Sequence, residues 1–210
     1  MQLVWKKYRE IFPDRYLKEN LLDARVKDLL EKHPRKRRCL DVGGGLLGTT
    51  ALNHPDNKVW GLDTHVHPPD WQKPISWEEV HKNLGEYHFD LIVARGSIAY
   101  LAKSQIRLLA DVLCFHGILI FNTFLQPTEF TREFTNSTSE TKGTETTKFL
   151  ADKGKIQHTL TLPNPKGEPK QIQHEFHFHP EGTLRSLLKH GTLEVTRHKT
   201  NSALFEFHKN

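Results

Sequence analysis

The chain has 210 residues, a mass of 24.4 kDa and a hydrophobic content of 36%; this fits one domain with an elaboration, and no apolar run approaches the ~20 residues that span a bilayer. Its two cysteines, Cys39 and Cys114, exclude a disulfide scaffold and a Cys-based zinc finger, and with an opening MQLVWKKYREIF that holds no signal-peptide apolar block they point to the cytoplasm. The formal charge of +5 is uneven: residues 1–40 hold 12 basic and 6 acidic side chains, residues 41–210 hold 18 and 19.

Within an N-terminal helical segment, 1–36, residues 16–32 place Leu17, Leu21, Leu22, Val26, Leu29 and Leu30 at helical spacing, and Pro34 should end the helix. The run Arg35, Lys36, Arg37, Arg38 follows. It reads either as a contact for phosphates or an acidic partner, or as a solvated turn ahead of a buried strand. No aromatic residue is interleaved, so it lacks the pattern of a stacking platform for single strands. Residues 39–42 form a short apolar run that Gly43, Gly44 and Gly45 stop, a strand entering a glycine loop. A short helix is predicted over 46–53, a second strand over 59–63 ending on Asp63, and loop over 66–74, where Pro68, Pro69 and Pro74 fall. Residues 77–84 read as a helix. Residues 89–94 read as a strand covered on both faces. Ser104 is the expected cap of a helix carrying Ile106, Leu109, Ala110 and Leu113, with Gly117 past its end and a buried strand over 118–121. Strands alternating with helices predict an α/β parallel sheet.

The pattern then changes. Residues 135–148 hold almost nothing apolar and read as a mobile loop. Two alternating runs follow, with Ile156, His158, Leu160 and Leu162 on one face of the first and Ile172, His174, Phe176 and Phe178 on one face of the second. They predict an antiparallel β-hairpin insertion with one apolar face. A helix with Leu184, Leu187 and Leu188 ends at Gly191, and strands over 193–195 and 203–207 close the chain around a turn at 200–202.

A strand, a glycine loop and a helix let a ligand approach the backbone closely, and an acid ending the next strand can accept hydrogen bonds from a ribose. Gly43, Gly45 and Gly48 fit G-x-G-x-x-G, with Asp63 18 residues beyond Gly45. The spacing alone fits a nicotinamide dinucleotide site, and a structural strand-to-helix turn stands beside that reading. Asp41 separates the ligands, because a carboxylate beside the loop suits a cation and repels a pyrophosphate. The terminal strand pair is also foreign to the dinucleotide fold.

With these residues in view, CLDVGGGLLG, VWGLD, FDLIVARGSIAYL, HGILIFNTF and the closing strand pair resemble class I S-adenosylmethionine (SAM)-dependent methyltransferases. The resemblance covers most of 16–125 and 180–210. It implies a Rossmann-like, mostly parallel seven-stranded sheet with an antiparallel terminal strand, in a single domain, 1–210. The β-hairpin insertion, about 125–180, would be a substrate cap. The resemblance also implies SAM as cofactor. Asp41, Gly43, Gly44 and Gly45 would line its amino-acid end and Asp63 would hold its ribose. Ser76 and Trp77 would flank the adenine, and Arg95, Gly96 and Ser97 would approach the methionine portion and the substrate. The third glycine departs from the family pattern: it falls at Gly48, with Leu47 in the usual place.

Methyl transfer from a sulfonium needs position and electrostatics above all, and a base only for a protonated nucleophile. Candidate side chains are His65, His67, Arg95, Tyr100, His177 and His179. Arg95 reads equally as a carboxylate clamp or a structural ion pair. His174, His177 and His179 form H-x-x-H-x-H, but on a regular strand His174 points away from the other two, a poor metal set. The glycosylation pattern Asn136-Ser137-Thr138 reads as accidental, and Asn122-Thr123-Phe124 lacks the prolines of a base-methylation motif. The expected function is methyl transfer to a small-molecule acceptor. Three readings stand beside it: an RNA or protein methyltransferase using the basic run, a non-catalytic cofactor-binding or interaction module, and a dinucleotide oxidoreductase.

Overall fold

The structure, a computed structural model, describes residues 21–33, 35–45, 47–83, 86, 88–127, 129–135, 142–164, 167–197 and 201–210. Residues 1–20 of the expected N-terminal segment, and Asn136-Ser137-Thr138, lie outside them. The described residues form two compact units, one of residues 126–178 and one of residues 21–125 with 179–210.

The larger unit opens with α1 (Leu21–Lys32), then β1 (Arg37–Val42), β2 (Asn57–Leu62), a two-residue β3 (Lys73–Pro74), α2 (Trp77–Lys82), β4 (Phe89–Ala94), α3 (Lys103–Asp111) and β5 (Leu113–Phe124). After the smaller unit come α4 (Glu181–Leu187), β10 (Gly191–Arg197) and β11 (Ser202–Lys209). The sheet order is β10-β11-β5-β4-β1-β2-β3. β1 pairs in parallel with β2 and β4, β4 with β5, and β2 with β3. β11 runs antiparallel to both β5 and β10, the expected seven-stranded arrangement. Alternation along each strand feeds two apolar layers. Leu40, Val42, Ile92, Ala94 and Phe121 pack with α2, α3 and α4. Cys39, Leu91, Val93 and Ile120 pack with Leu22, Val26 and Leu29 of α1 on the other face. Burial on both faces explains why these strands read as continuous apolar runs. Among the described residues no helix is long and apolar enough to cross a membrane.

Several boundaries differ from the sequence expectation. The helix over 46–53 is replaced by a 3-10 turn at Thr50–Leu52. Gly48 adopts φ +62° and Thr49 is extended at φ −81°, ψ 96°, and neither continues a right-handed helix. The 66–74 loop ends in β3, a parallel edge strand, where proline's missing donor is tolerated. The cap of α3 is Ala102, whose N–H donates to Gln105 Oε1 at 2.8 Å, while Ser104 lies inside the helix. That helix stops at Asp111, before Leu113. Lys209 Nζ donates to the carbonyls of Ala110, Asp111 and Leu113 at 3.0, 3.1 and 2.8 Å, satisfying its C-terminal acceptors.

The smaller unit is a four-stranded antiparallel sheet, β6 (Phe130–Thr135), β7 (Lys142–Leu150), β8 (Lys155–Leu162) and β9 (Lys170–His177), in that order. The expected hairpin is its second half. Residues 142–148, expected as loop, are most of β7: threonine is β-branched and suits a pleated strand. Pairing puts Ile156, His158, Leu160, Ile172, His174 and Phe176 on one face, as the alternation indicates. Phe178 lies past the end of β9.

Polar groups cross that face. Arg132 donates through Nε to Glu145 Oε2 at 2.7 Å, and His158 Nε2 lies 2.8 Å from Glu145 Oε1. The His158 and His174 rings are 4.9 Å apart. Burial, with His158 beside it, pushes His174 from 6.5 down to about 4. The groups facing it across the sheet are His158 and, beyond it, Glu145 and Arg132. A depressed histidine keeps its full contribution above 6.5; as pH falls toward 4 the unfolded chain takes a proton that the fold refuses. Thermal melts should therefore show about 2 kcal/mol lost at pH 5 relative to pH 7.5. His174→Phe should flatten this slope, and an unchanged slope would assign the titration elsewhere.

Candidate active site

The order of strands reverses between β1 and β4, and in open parallel sheets ligands bind beyond the carboxyl ends of the strands at such a point. Gly43 follows β1 here, Asp63 follows β2, and Arg95, Gly96 and Ser97 follow β4. The Gly43 N–H donates to Leu62 O at 2.8 Å, carrying the β1–β2 ladder one residue further. Gly43 then turns at φ +70°, and Ser97 closes on it: a Cβ at Gly43 would stand 2.5 Å from Ser97 Cβ. Ser97 is 9% exposed, and its hydroxyl donates to Val42 O at 2.6 Å. The ends of β1 and β4 are thereby tied together.

Asp63 organises the loop from the other side. Its Oδ2 accepts the Gly45 N–H at 3.2 Å, and its Oδ1 accepts the N–H groups of His65 and Val66 at 2.8 and 3.1 Å. The half-buried carboxylate is held at the strand end with Gly45 beside it. Among the described residues, chain neighbours apart, no atom lies within 4 Å of the place a Cβ on Gly45 or on Gly96 would take, so these two positions face open space.

Asp41 is 0% exposed. Its Oδ2 accepts the Thr49 N–H at 2.6 Å and Gln72 Nε2 at 2.7 Å, and its Oδ1 accepts the Thr49 hydroxyl at 2.8 Å. Burial pushes its carboxyl above the usual range, opposed by these hydrogen bonds and by the charge of Arg95. A side chain on Gly44 would run into the same carboxylate. Thr49 and Gln72 escape sequence reasoning. Gln72 is a lone amide in a proline-rich loop, 31 positions from its partner, and no spacing marks it.

The remaining candidates each make a contact within the fold. Arg95 Nη2 lies 3.3 Å from Asp23 Oδ2 of α1, the ion-pair alternative. Gly96 N–H donates to Asn122 Oδ1 at 2.6 Å. Ser76 caps α2: its hydroxyl accepts the Glu79 N–H at 3.2 Å and donates to Glu79 Oε2 at 2.8 Å. Trp77 packs, partly buried, against the core. His67 Nδ1 lies 2.8 Å from Pro68 O. The N–H of Tyr100 closes a 3-10 turn onto Ser97 O at 2.9 Å. His177 ends β9 opposite Lys155. His179 does not share its face: it lies beyond the strand in the larger unit, buried, with Nε2 3.1 Å from Leu101 O. Among the described residues no three His, Cys, Asp or Glu are placed to hold a metal ion.

The basic run is largely engaged. Arg37 lies in β1, buried, and donates to His33 O at 2.6 Å. Arg38 stands over the Trp60 ring at 5.3 Å and donates to Glu86 O at 3.2 Å. Arg35 lies 3.7 Å from Asp90. Lys36 is exposed.

No family model and no curated protein matches this chain in sequence. Solved structures do match. An amino pentose methyltransferase from Micromonospora echinaspora, determined with SAM bound, is similar over 100% of this chain and 98% of its own, with a TM-score of 0.65 and 12% identity. A sugar N-methyltransferase from a Streptoalloteichus species is similar over 97% and 92%, with a TM-score of 0.62 and 15% identity. The 1,6-didemethyltoxoflavin-N1-methyltransferase of Burkholderia thailandensis, determined with S-adenosylhomocysteine, is similar over 100% and 88%, with a TM-score of 0.55 and 16% identity. The fold is the class I SAM-dependent methyltransferase fold, as the sequence motifs imply.

Proposed function

We propose that this chain is a SAM-dependent methyltransferase acting on a small-molecule acceptor. The observation that carries the cofactor is the edge where Gly45 N–H and the Asp63 carboxylate are held together beside open space. A carboxylate at the end of the second strand suits ribose hydroxyls, and the space at Gly45 and Gly96 admits a ligand against bare backbone. A dinucleotide is disfavoured on two grounds. Pyrophosphate sites use the N-terminus of a full helix, and the loop here leads into a three-residue 3-10 turn. The buried Asp41 at its base presents acceptor oxygens already taken up by Thr49 and Gln72 and gives a phosphate neither a cation nor a donor.

SAM, when bound, supplies an activated methyl. The chain's own residues would do the positioning. Asp63 would orient the ribose. The backbone of 43–45 would receive the amino-acid end. Asp41 would set the loop's shape from below, and Ser97 would fix the distance between the β1 and β4 edges. His65, Arg95, Tyr100 and His177 remain the candidates for contact with the acceptor, and Ser76 and Trp77 those for the adenine. A small-molecule acceptor is supported by the sugar and toxoflavin-precursor substrates that the similar enzymes' names carry. Residues 126–178 would supply its recognition. Engagement of Arg35, Arg37 and Arg38 with the chain itself weighs against the RNA alternative.

The test is calorimetric titration with SAM, S-adenosylhomocysteine and NAD, beside Asp63→Ala. SAM and its demethylated product should bind at micromolar affinity and NAD should not. Loss of the ribose acceptor and of the Gly45 anchor should weaken SAM about a hundredfold, the scale of one or two charge-assisted hydrogen bonds. Radiolabelled methyl groups should then reach the small-molecule fraction of an extract, not its RNA or protein. NAD binding alone would overturn the reading.

A further inference from the structure

Three segments meet at one carboxylate. Asp41 is the last residue but one of β1, Thr49 ends the glycine loop, and Gln72 ends the segment that connects β2 to β3. Gln72 is 4% exposed and gripped on both sides. Its Oε1 lies against Gly61 of β2, where any Cβ would collide with it, and its Nε2 lies beside Gly48 together with the Trp71 ring. Only the nitrogen end of an amide can face a carboxylate, so the orientation follows from the pairing. A lysine or arginine in this place would bring a charge of its own to the buried carboxyl. The neutral amide satisfies an acceptor and adds no charge beneath the loop.

We propose that Gln72 is the positioning residue of the cofactor loop: the neutral donor through which a fully buried Asp41 holds Thr49, and through Thr49 the shape of residues 43–45, 47 and 48. Gln72 touches neither cofactor nor acceptor in this role and acts through Asp41. The inference rests on the SAM reading above for its ligand, and on the Asp41–Thr49–Gln72 geometry alone for its loop. It also accounts for the displaced third glycine. Residue 48 is where Trp71 and Gln72 press on the loop, so a glycine is needed there, while Leu47 is exposed.

The discriminating variant is Gln72→Glu, which sets two carboxyls against each other. Such a pair shares a proton when the pH is low enough and repels when it is not. The other charged or titratable groups at these strand ends are Arg95, Asp63, His65 and His67, and wild type at each pH corrects for them. SAM affinity should fall about thirtyfold at pH 8 and return to within about fivefold of wild type at pH 6. In cofactor-free protein, amide exchange over 43–49, corrected for intrinsic rates, should quicken at pH 8 and not at pH 6. Gln72→Leu, which has no charge to titrate, should weaken SAM about tenfold at both pH values.

Equal weakening of Gln72→Glu at both pH values with unchanged exchange over 43–49, or wild-type affinity in either variant, would overturn the proposal. If Gln72→Glu does not fold, Gln72→Leu alone decides. If wild type fails to bind SAM while the exchange still follows pH, the cofactor reading falls and the loop anchor stands.

Discussion

Gly43→Ala is expected to abolish SAM binding and to destabilise the seven-stranded unit by about 2–4 kcal/mol. Two costs coincide at this position. The backbone sits at φ +70°, a conformation that an L residue adopts only with strain. The new methyl would also stand 2.5 Å from Ser97 Cβ, and Ser97 cannot swing aside without breaking its 2.6 Å bond to Val42 O. Either the β4 end moves away from β1 or the glycine loop is displaced, and both deform the edge where Gly45 and Asp63 meet. Chemical denaturation and SAM titration read the two effects separately. Ser97→Gly in the same chain should restore part of the stability, because it relieves the contact and leaves the dihedral strain. Unchanged SAM affinity in Gly43→Ala would place the cofactor elsewhere.

The parts of the molecule that were legible in the sequence share a cause. β1, β2, β4 and β5 are buried on both faces, so their apolar runs carry a signal that needs no partner to interpret. Asp41, Gly43 and Asp63 stand at the ends of such strands, where chain position alone gives them a place at the sheet's edge. The features that were missed depend on contacts across the fold. The turn at Thr50–Leu52 looked like a helix because the capture of Thr49 by Asp41 is invisible in composition. α3 looks longer because Leu113 continues its apolar spacing, whereas the chain begins β5 there. β7 looked like a loop because its inward positions, Glu145 and Thr147, are polar and buried. A polar residue on an inward face is read as solvent-exposed unless its partners are known, and Arg132 and His158 come from other strands.

That same buried pairing carries the second large effect. Glu145 is 3% exposed; its Oε2 takes Nε and Nη2 of Arg132 at 2.7 and 2.6 Å, and its Oε1 meets His158 Nε2 at 2.8 Å. Glu145→Ala removes the Glu145 carboxylate from the His158 ring and opens a void. Arg132, half exposed over the Phe130 ring, turns to water at little cost. The loss should be about 2–3 kcal/mol, from the removed hydrogen bond to His158 and the void left in the sheet. Glu145→Gln keeps an acceptor and the volume and should lose about 1 kcal/mol. Because the residues proposed to hold the cofactor belong to the other unit, SAM affinity in Glu145→Ala should match wild type, amide exchange should quicken across β6 to β9, and methyl transfer to the small-molecule fraction should fall. A parallel loss of SAM affinity would mean that residues 126–178 serve the cofactor site itself. Full transfer with a loosened sheet would remove acceptor recognition from this unit.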